Sequence, residues 1–287
     1  MKTTTPNGID GMWTELVRMC NEQFESKSFK HLLNTKFTKT RAQQYSIQMA
    51  FYVQNRRDCW GYVQGSAPLE IKKLIWQHEE DELIGRKSEG KQDHITLAVK
   101  EGEVFGLTAE AFERNPRLEG GEVCFSAWIR LAQRSWLEAI AASAILEVRN
   151  SGELIQGGSL SKRIGAMLER DLGIPMKKQI NTAEHVVMDV EHAHLLMQVA
   201  RKYADTETAR NAILQGAAES LMVDRVYRGH LADMLETPAR QLDDLGGKRR
   251  KRLYGQICRF VENPRSDGQR SVREYGVQKI PGCAIDA

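Results

Sequence analysis

Glu184-His185-Val186-Val187-Met188-Asp189-Val190-Glu191-His192-Ala193-His194 is the stretch on which the reading of this chain turns. At about 100° per residue on a helix, His185 and Asp189 lie about 40° apart around the axis, and His185 and His192 about 20° apart. The three side chains therefore share one narrow stripe, about 10 Å long at roughly 1.5 Å per residue. Val186, Val187, Val190, Leu195 and Leu196 surround it, which predicts a mostly buried helix. Two imidazoles and a carboxylate on a buried face are costly unless paired or coordinated. Metals of a dinuclear site sit roughly 3.5–4 Å apart, so one stripe can serve two ions, with the central carboxylate near either. The competing reading is a helix that simply exposes its imidazoles. Glu191 and His194 lie off the stripe and are expected behind it or at the surface. Glu191-x-x-His194 has ferritin-like spacing, but that fold needs two such motifs and the chain shows one.

Outward from this stretch, helical periodicity recurs. Met12–Glu25 and Thr40–Asn55 each carry an apolar face. Pro68 sits where a missing N–H costs nothing and opens Leu69–Leu83, and Gly85 with Lys87–Gly90 breaks it. Helices are expected over Gln92–Glu103, Thr108–Phe112, Ser126–Val148, Ser159–Asp171, Ala183–Ala204 and Thr206–Glu236. No convincing alternating run is present, so strands are expected to be few or absent, and no repeat recurs. The pattern predicts an all-α bundle of about seven or eight helices.

Of the 287 residues, 41 are Lys or Arg and 38 are Asp or Glu, a net charge of +3. That surplus belongs to the tail. From Pro238 onward there are 11 basic and 6 acidic residues, which leaves residues 1–237 at −2. The division expected is one helical domain, 1–237, and a basic, partly irregular extension, 238–287. Lys248–Arg252 reads as a solvated helix face, since no aromatic or groove-reading partners accompany it, so no nucleic-acid partner is expected. The first residues lack the apolar core of a secretory leader, and Ala139–Leu146 is far short of the roughly 20 residues that span a bilayer. Five cysteines without a CxxC pair argue against a disulfide framework or a cysteine zinc site. A cytoplasmic protein with no membrane partner is expected.

Partners for the stripe must come from other helices. Glu147, at the end of the apolar helix Ser126–Val148, is either a ligand or a plain helix-end residue. His78-Glu79-Glu80-Asp81-Glu82 carries four consecutive carboxylates, whose repulsion calls for a cation near the inward ones, although Glu80 and Asp81 also read as a solvated helix end. Arg130, Arg134 and Lys162 are carboxylate anchors by charge, or simply exposed helix residues.

The order of these features carries a resemblance. An aromatic-rich helix (Gln44-Tyr45 to Tyr52) is followed by Asp81-Glu82-Leu-Ile-Gly85, His94 and Phe105-Gly106-Leu107. Then come a helix from Ala127-Trp128 to Glu147 and His185-x-x-x-Asp189-x-x-His192. Over about residues 40–235 the chain resembles the heme-oxygenase-like diiron oxidase and oxygenase superfamily, relatives of thiaminase II and pyrroloquinoline-quinone synthase. The resemblance implies a heme-oxygenase-like bundle in which Glu82, His94, Glu147, His185, Asp189 and His192 hold two Fe(II) ions, with O₂ as co-substrate. Three carboxylates and three imidazoles suit Fe(II) and leave room for O₂. The gap from Glu82 to His94 is longer than in the family. An insertion through Lys87–Gly90 accounts for it, and Glu79 is then a rival to Glu82.

The implied activity is an O₂-dependent oxidase or oxygenase of a small amino-acid-derived or fatty-acid substrate. It would act by oxidative C–C cleavage or decarboxylation, desaturation or N-oxygenation, in natural-product biosynthesis, and a homodimer is allowed. Two other classes compete. One is a metal-free, thiaminase II-like hydrolase with Cys124 or Cys59 as nucleophile. The other is a non-catalytic helical interaction protein, which would leave the His/Asp stripe without a purpose.

Overall fold

Caps and glycines set the helix ends that place the candidate residues. In a computed structural model, residues 8–86 and 90–237 are described. They form eleven α-helices: α1 (Gly8–Gln23), α2 (Lys27–Asn34), α3 (Lys39–Ser66), α4 (Leu69–Leu83), α5 (His94–Val104), α6 (Ala109–Arg114), α7 (Glu119–Ala132), α8 (Trp136–Asn150), α9 (Leu160–Leu172), α10 (Ile180–Tyr203) and α11 (Glu207–Glu236). A 3₁₀ turn, Met176–Lys178, precedes α10. No strand occurs among the described residues. The architecture is the all-α bundle expected. None of its described helices is long and apolar enough to cross a membrane. The basic extension 238–287, with Lys248–Arg252, lies outside the described residues, as do 87–89 of the expected break.

The bundle is cut more finely than seven or eight helices. Ser126–Val148, expected as one helix, is divided at 133–135. Ser135-x-x-Glu138 has capping-box spacing, and Ser135 Oγ donates to Glu138 Oε2 at 2.5 Å, so a new helix starts there. The short α2 was not expected. Ser26 caps it, accepting from the Phe29 N–H at 3.3 Å, and eight residues are too few for periodicity to stand out. In contrast, α3 runs beyond Asn55 to Ser66. Arg56, Arg57 and Asp58 interrupt its apolar pattern, which Cys59, Trp60 and Val63 resume.

Two local features aim α4 and α5 at the same point. Gly85 adopts φ +74°, and a Cβ there would lie 2.4 Å from the backbone of Gln92, so only glycine lets the chain double back. Asp93 then caps α5, accepting from the Thr96 N–H at 2.8 Å, which makes His94 the first helical residue.

The bundle centre fixes α3, α8 and α10 against one another. Small residues let α8 and α11 approach closely: a Cβ on Gly216 would lie 2.3 Å from the Glu138 carbonyl oxygen. Trp128 Nε1 donates to Ser220 Oγ at 3.0 Å, which donates onward to the Ala142 carbonyl at 2.6 Å. Tyr52, Phe125, Trp128 and Tyr227 pack ring against ring around this bond, with centroids 5.4–6.3 Å apart. Buried aromatic pairs of this kind add about 0.5–1.5 kcal/mol each beyond their burial.

Candidate metal centre

Four helices converge on a cluster of imidazoles and carboxylates: α4 with His78, Glu79, Asp81 and Glu82, α5 with His94, α8 with Glu147, and α10 with His185, Asp189 and His192. All six residues carried over from the resemblance are brought together here. His94, Glu82, Asp189 and His192 are buried, at 0–6% exposure. Glu147 is nearly so, and His185 keeps about a fifth of its side chain accessible. The α10 stripe does turn inward, but its setting is less apolar than expected. Leu195 and Leu196 are buried, whereas Val187 is 59% exposed. Glu191 and His194 face outward.

Glu82 sits at the middle. Its Oε2 lies 2.9 Å from His94 Nδ1 and its Oε1 3.5 Å from His192 Nδ1. Arg57 Nη1 is 2.8 Å from Oε2. Burial opposes ionisation of Glu82, but Arg57 and His94 outweigh it and hold the carboxyl well below its usual range. Glu79, the sequence rival, does a different job. It accepts from Arg57 at 2.8 Å and meets His78 Nδ1 at 3.0 Å. Burial pushes its pKa up to about 7, against the pull of Arg57.

His78 was missed. It stood in the acidic run quoted above, four residues before Glu82, the same spacing that joins His185 to Asp189. It is buried against Trp60, with centroids 4.7 Å apart, and against His192 at 4.3 Å. Burial and then the neighbouring His192 lower its pKa to about 3, so the ring is neutral near pH 7. With Nδ1 held by Glu79, Nε2 faces inward and lies 4.0 Å from Glu147 Oε1. Ligand atoms of His78, Glu147 and His192 all lie within 4.8 Å of one another.

On the other side of Glu82, His94 and His185 are ring neighbours at 4.5 Å, and His185 Nδ1 is 3.1 Å from Asp189 Oδ1. Burial opposes the imidazolium of His185, but Asp189, with Glu82 and Glu147, raises its pKa to about 9 in the metal-free protein. Asn150 Nδ2, unanticipated in the sequence, donates to the other Asp189 oxygen and to Ser161 Oγ at 2.9 Å. Asp81 borders the cluster. Its Oδ2 is 3.7 Å from His192 Nε2, and Arg86 ties it to Glu191.

Buried polar groups nearly always find partners, yet His78 Nε2 and both nitrogens of His192 make no hydrogen bond and meet carboxylates only at 3.5–4.0 Å, and His94 Nδ1 lies beside Glu82 without making a well-directed hydrogen bond. Unpaired imidazole nitrogens facing carboxylates, with Glu82 offering one oxygen to each side, are the arrangement a divalent cation would satisfy. The N/O donor set suits iron. An open groove of about 260 Å³ between α4 and α10 reaches His78 and His192 from outside. A second cavity, of about 60 Å³, adjoins Glu82, Glu147, His185 and Asp189.

The cysteines are poorly placed for a nucleophile. Cys59 and Cys124 are both buried. Burial pushes the Cys124 thiol up to about 11 and raises that of Cys59. A reactive cysteine needs the opposite shift. Arg130 and Lys162 are exposed helix residues, and Arg134 is exposed in the turn between α7 and α8, so none is a buried anchor.

Comparison with known proteins supplies the family. No curated protein matches the chain. Several solved structures are similar, among them the following three. A domain of unknown function with a heme oxygenase-like fold from Shewanella denitrificans OS217 is 13% identical, with a TM-score of 0.61 over 84% of this chain and 97% of that one. A CADD-like protein of unknown function from Nostoc punctiforme PCC 73102 is 15% identical, with a TM-score of 0.57 over 80% and 99%. A TenA homolog from Pseudomonas syringae pv. tomato DC3000 is 10% identical, with a TM-score of 0.56 over 81% and 98%. At these identities the likeness establishes the fold, which is heme-oxygenase-like. Residues 43–225 match the profile of a family of iron-containing redox enzymes, and since this is well over half of its length, the chain belongs to that family.

Proposed function

We propose that this protein is a non-heme diiron oxidase or oxygenase that uses O₂ on a small, amino-acid-derived or fatty-acid substrate. The observation that carries the reading is the set of buried imidazole nitrogens that make no hydrogen bond, on His78 and His192, facing Glu82 and Glu147 in a member of an iron-containing redox family. His78, Glu147 and His192 would hold one iron, and His94, His185 and Asp189 the other, with Glu82 reaching both.

When bound, Fe(II) would supply the electrons that activate O₂. The chain's own residues do the rest. Glu79 fixes His78 with Nε2 inward, and Asn150 holds Asp189 toward His185. Arg57 offsets part of the negative charge of Glu79 and Glu82. A substrate would lie in the small cavity against His185 and Asp189.

The test is reconstitution. Protein purified anaerobically is given Fe(II), its bound iron is measured, and it is mixed rapidly with O₂ while absorbance is followed. Wild type should take up about two irons and give a transient absorbance, and His185→Ala and His192→Ala should each lose iron. Wild type binding less than one iron, or variants that bind as wild type does, would overturn the reading.

A further inference from the structure

The cavity of about 60 Å³ beside the cluster has a second wall of opposite charge. Arg56 and Arg57 from α3, Arg149 from α8 and Arg228 from α11 all line it. Arg56, Arg149 and Arg228 are at most 3% exposed. Buried guanidinium groups need counter-charges, and among the described residues these three have only one carboxylate within ion-pair distance. Asp224 is shared: Oδ1 accepts from Arg228 Nε at 3.0 Å and Oδ2 lies 3.1 Å from Arg149 Nε. Arg56 has no carboxylate within ion-pair distance among the described residues. Its Nη2 donates to the Ser143 carbonyl at 2.8 Å, and its Nε is buried without a partner. The acids of the neighbouring cluster are matched by Arg57 and the histidines: Glu82 lies 2.8 Å from Arg57 Nη1 and 2.9 Å from His94 Nδ1, and Asp189 lies 3.1 Å from His185 Nδ1.

We infer that this cavity is an anion site which seats the carboxylate of a small substrate on Arg56 and Arg149, with the rest of the molecule turned toward His185 and Asp189. The inference rests on the redox reading above and narrows its substrate. A carboxylate would supply the missing negative charge and accept the free Arg56 N–H, and guanidinium forks match carboxylate geometry. The small volume favours a short carboxylate over a long-chain fatty acid. A second lobe of about 40 Å³ shares Tyr45, Met49, Ser161 and His185 with the first. It carries Asn181, whose Oδ1 is buried without a partner, beside Met49, Ala98 and Ile164.

Calorimetric titration of the full chain, both metal-free and loaded anaerobically with Fe(II), tests this with three probes: L-norleucine, hexanoate and the uncharged hexanamide. Iron content is measured in the same samples. Hexanoate and norleucine should bind, and hexanamide should bind at least about tenfold more weakly than hexanoate, the loss expected for a charged hydrogen-bond pair. Arg56→Gln should keep its iron and lose carboxylate binding by a similar factor, with Arg56→Lys intermediate. If Arg56→Gln fails to fold, the acid-to-amide comparison on wild type and the Arg56→Lys titration still decide. Failure of every carboxylate to bind wild type, equal binding of hexanoate and hexanamide, or a preference unchanged in both Arg56 variants would overturn the inference. A carboxylate preference seen only with iron bound and indifferent to Arg56 would place the anion on the metal and overturn it as well. Absence of iron in wild type would instead sink the redox reading, and the metal-free titration would still decide the anion site.

Discussion

Helices α10 and α4 bring histidines and carboxylates to the same cluster, but they are built in opposite ways. On α10 the polar residues interrupt a largely apolar helix, and the three that matter, His185, Asp189 and His192, fall on one stripe. The last two turns of α4 are polar on every side, from Gln77 to Glu82. There only His78 and Glu82, four residues apart, are fully buried, while Glu79 and Asp81 are half-buried and Glu80 is exposed. In the first helix the position of a polar residue is itself the signal. In the second, the neighbours decide which residue turns inward: Arg57 on α3, His94 on α5 and Glu147 on α8.

The sharpest way to break this comparison is Glu82→Ala. If the two oxygens of Glu82 serve both halves of the cluster, its loss should cost both irons, a larger effect than losing any single α10 residue. Iron content after anaerobic reconstitution measures it. A variant that still retains two irons would mean that α10 works with partners other than α4.

His78→Ala comes next. It should reduce bound iron from about two to about one and leave the ion near His94, His185 and Asp189 in place. If the six residues implied by the resemblance are a complete set, iron content will not change. The experiment therefore decides whether α4 contributes a histidine as well as a carboxylate.

How much of this was legible follows from the same contrast. The limits of α4, Leu69–Leu83, could be read from Pro68 and Gly85, because each acts on the backbone directly. The α10 stripe could be read because burial on an apolar helix makes polar spacing informative. Glu147 stayed ambiguous, since the end of a helix looks alike whether it meets water or a cluster. His78 passed unread within a run of acids, although the four-residue spacing applied to α10 would have paired it with Glu82. The α7–α8 break was signalled by Ser135-x-x-Glu138, but the apolar residues on either side masked it. The buried arginines were least visible. Charge alone pointed to Arg130, Arg134 and Lys162 at the surface, whereas Arg56, Arg149 and Arg228 are buried by helices distant in sequence.

The smallest effect separates holding a ligand from being one. Asn150 ends α8 and donates to Asp189, with Ser161 on its other side, so it fixes the carboxylate of the α10 stripe from behind. Residues that orient a ligand typically matter by about 10–100-fold in metal affinity. Asn150→Ala should therefore weaken iron binding within that range while leaving the number of ions at saturation unchanged, as read from titration with an Fe(II) chelator. Asn150→Asp should do worse than alanine, because it sets a second carboxylate against Asp189. Glu80→Gln supplies the matching control on α4: it removes one of four consecutive acids, but an exposed one, and should change neither affinity nor stoichiometry. An effect of Glu80→Gln comparable to that of Asn150→Ala would mean that α4 acts through its summed charge, and its difference from α10 would then be one of field rather than of facing.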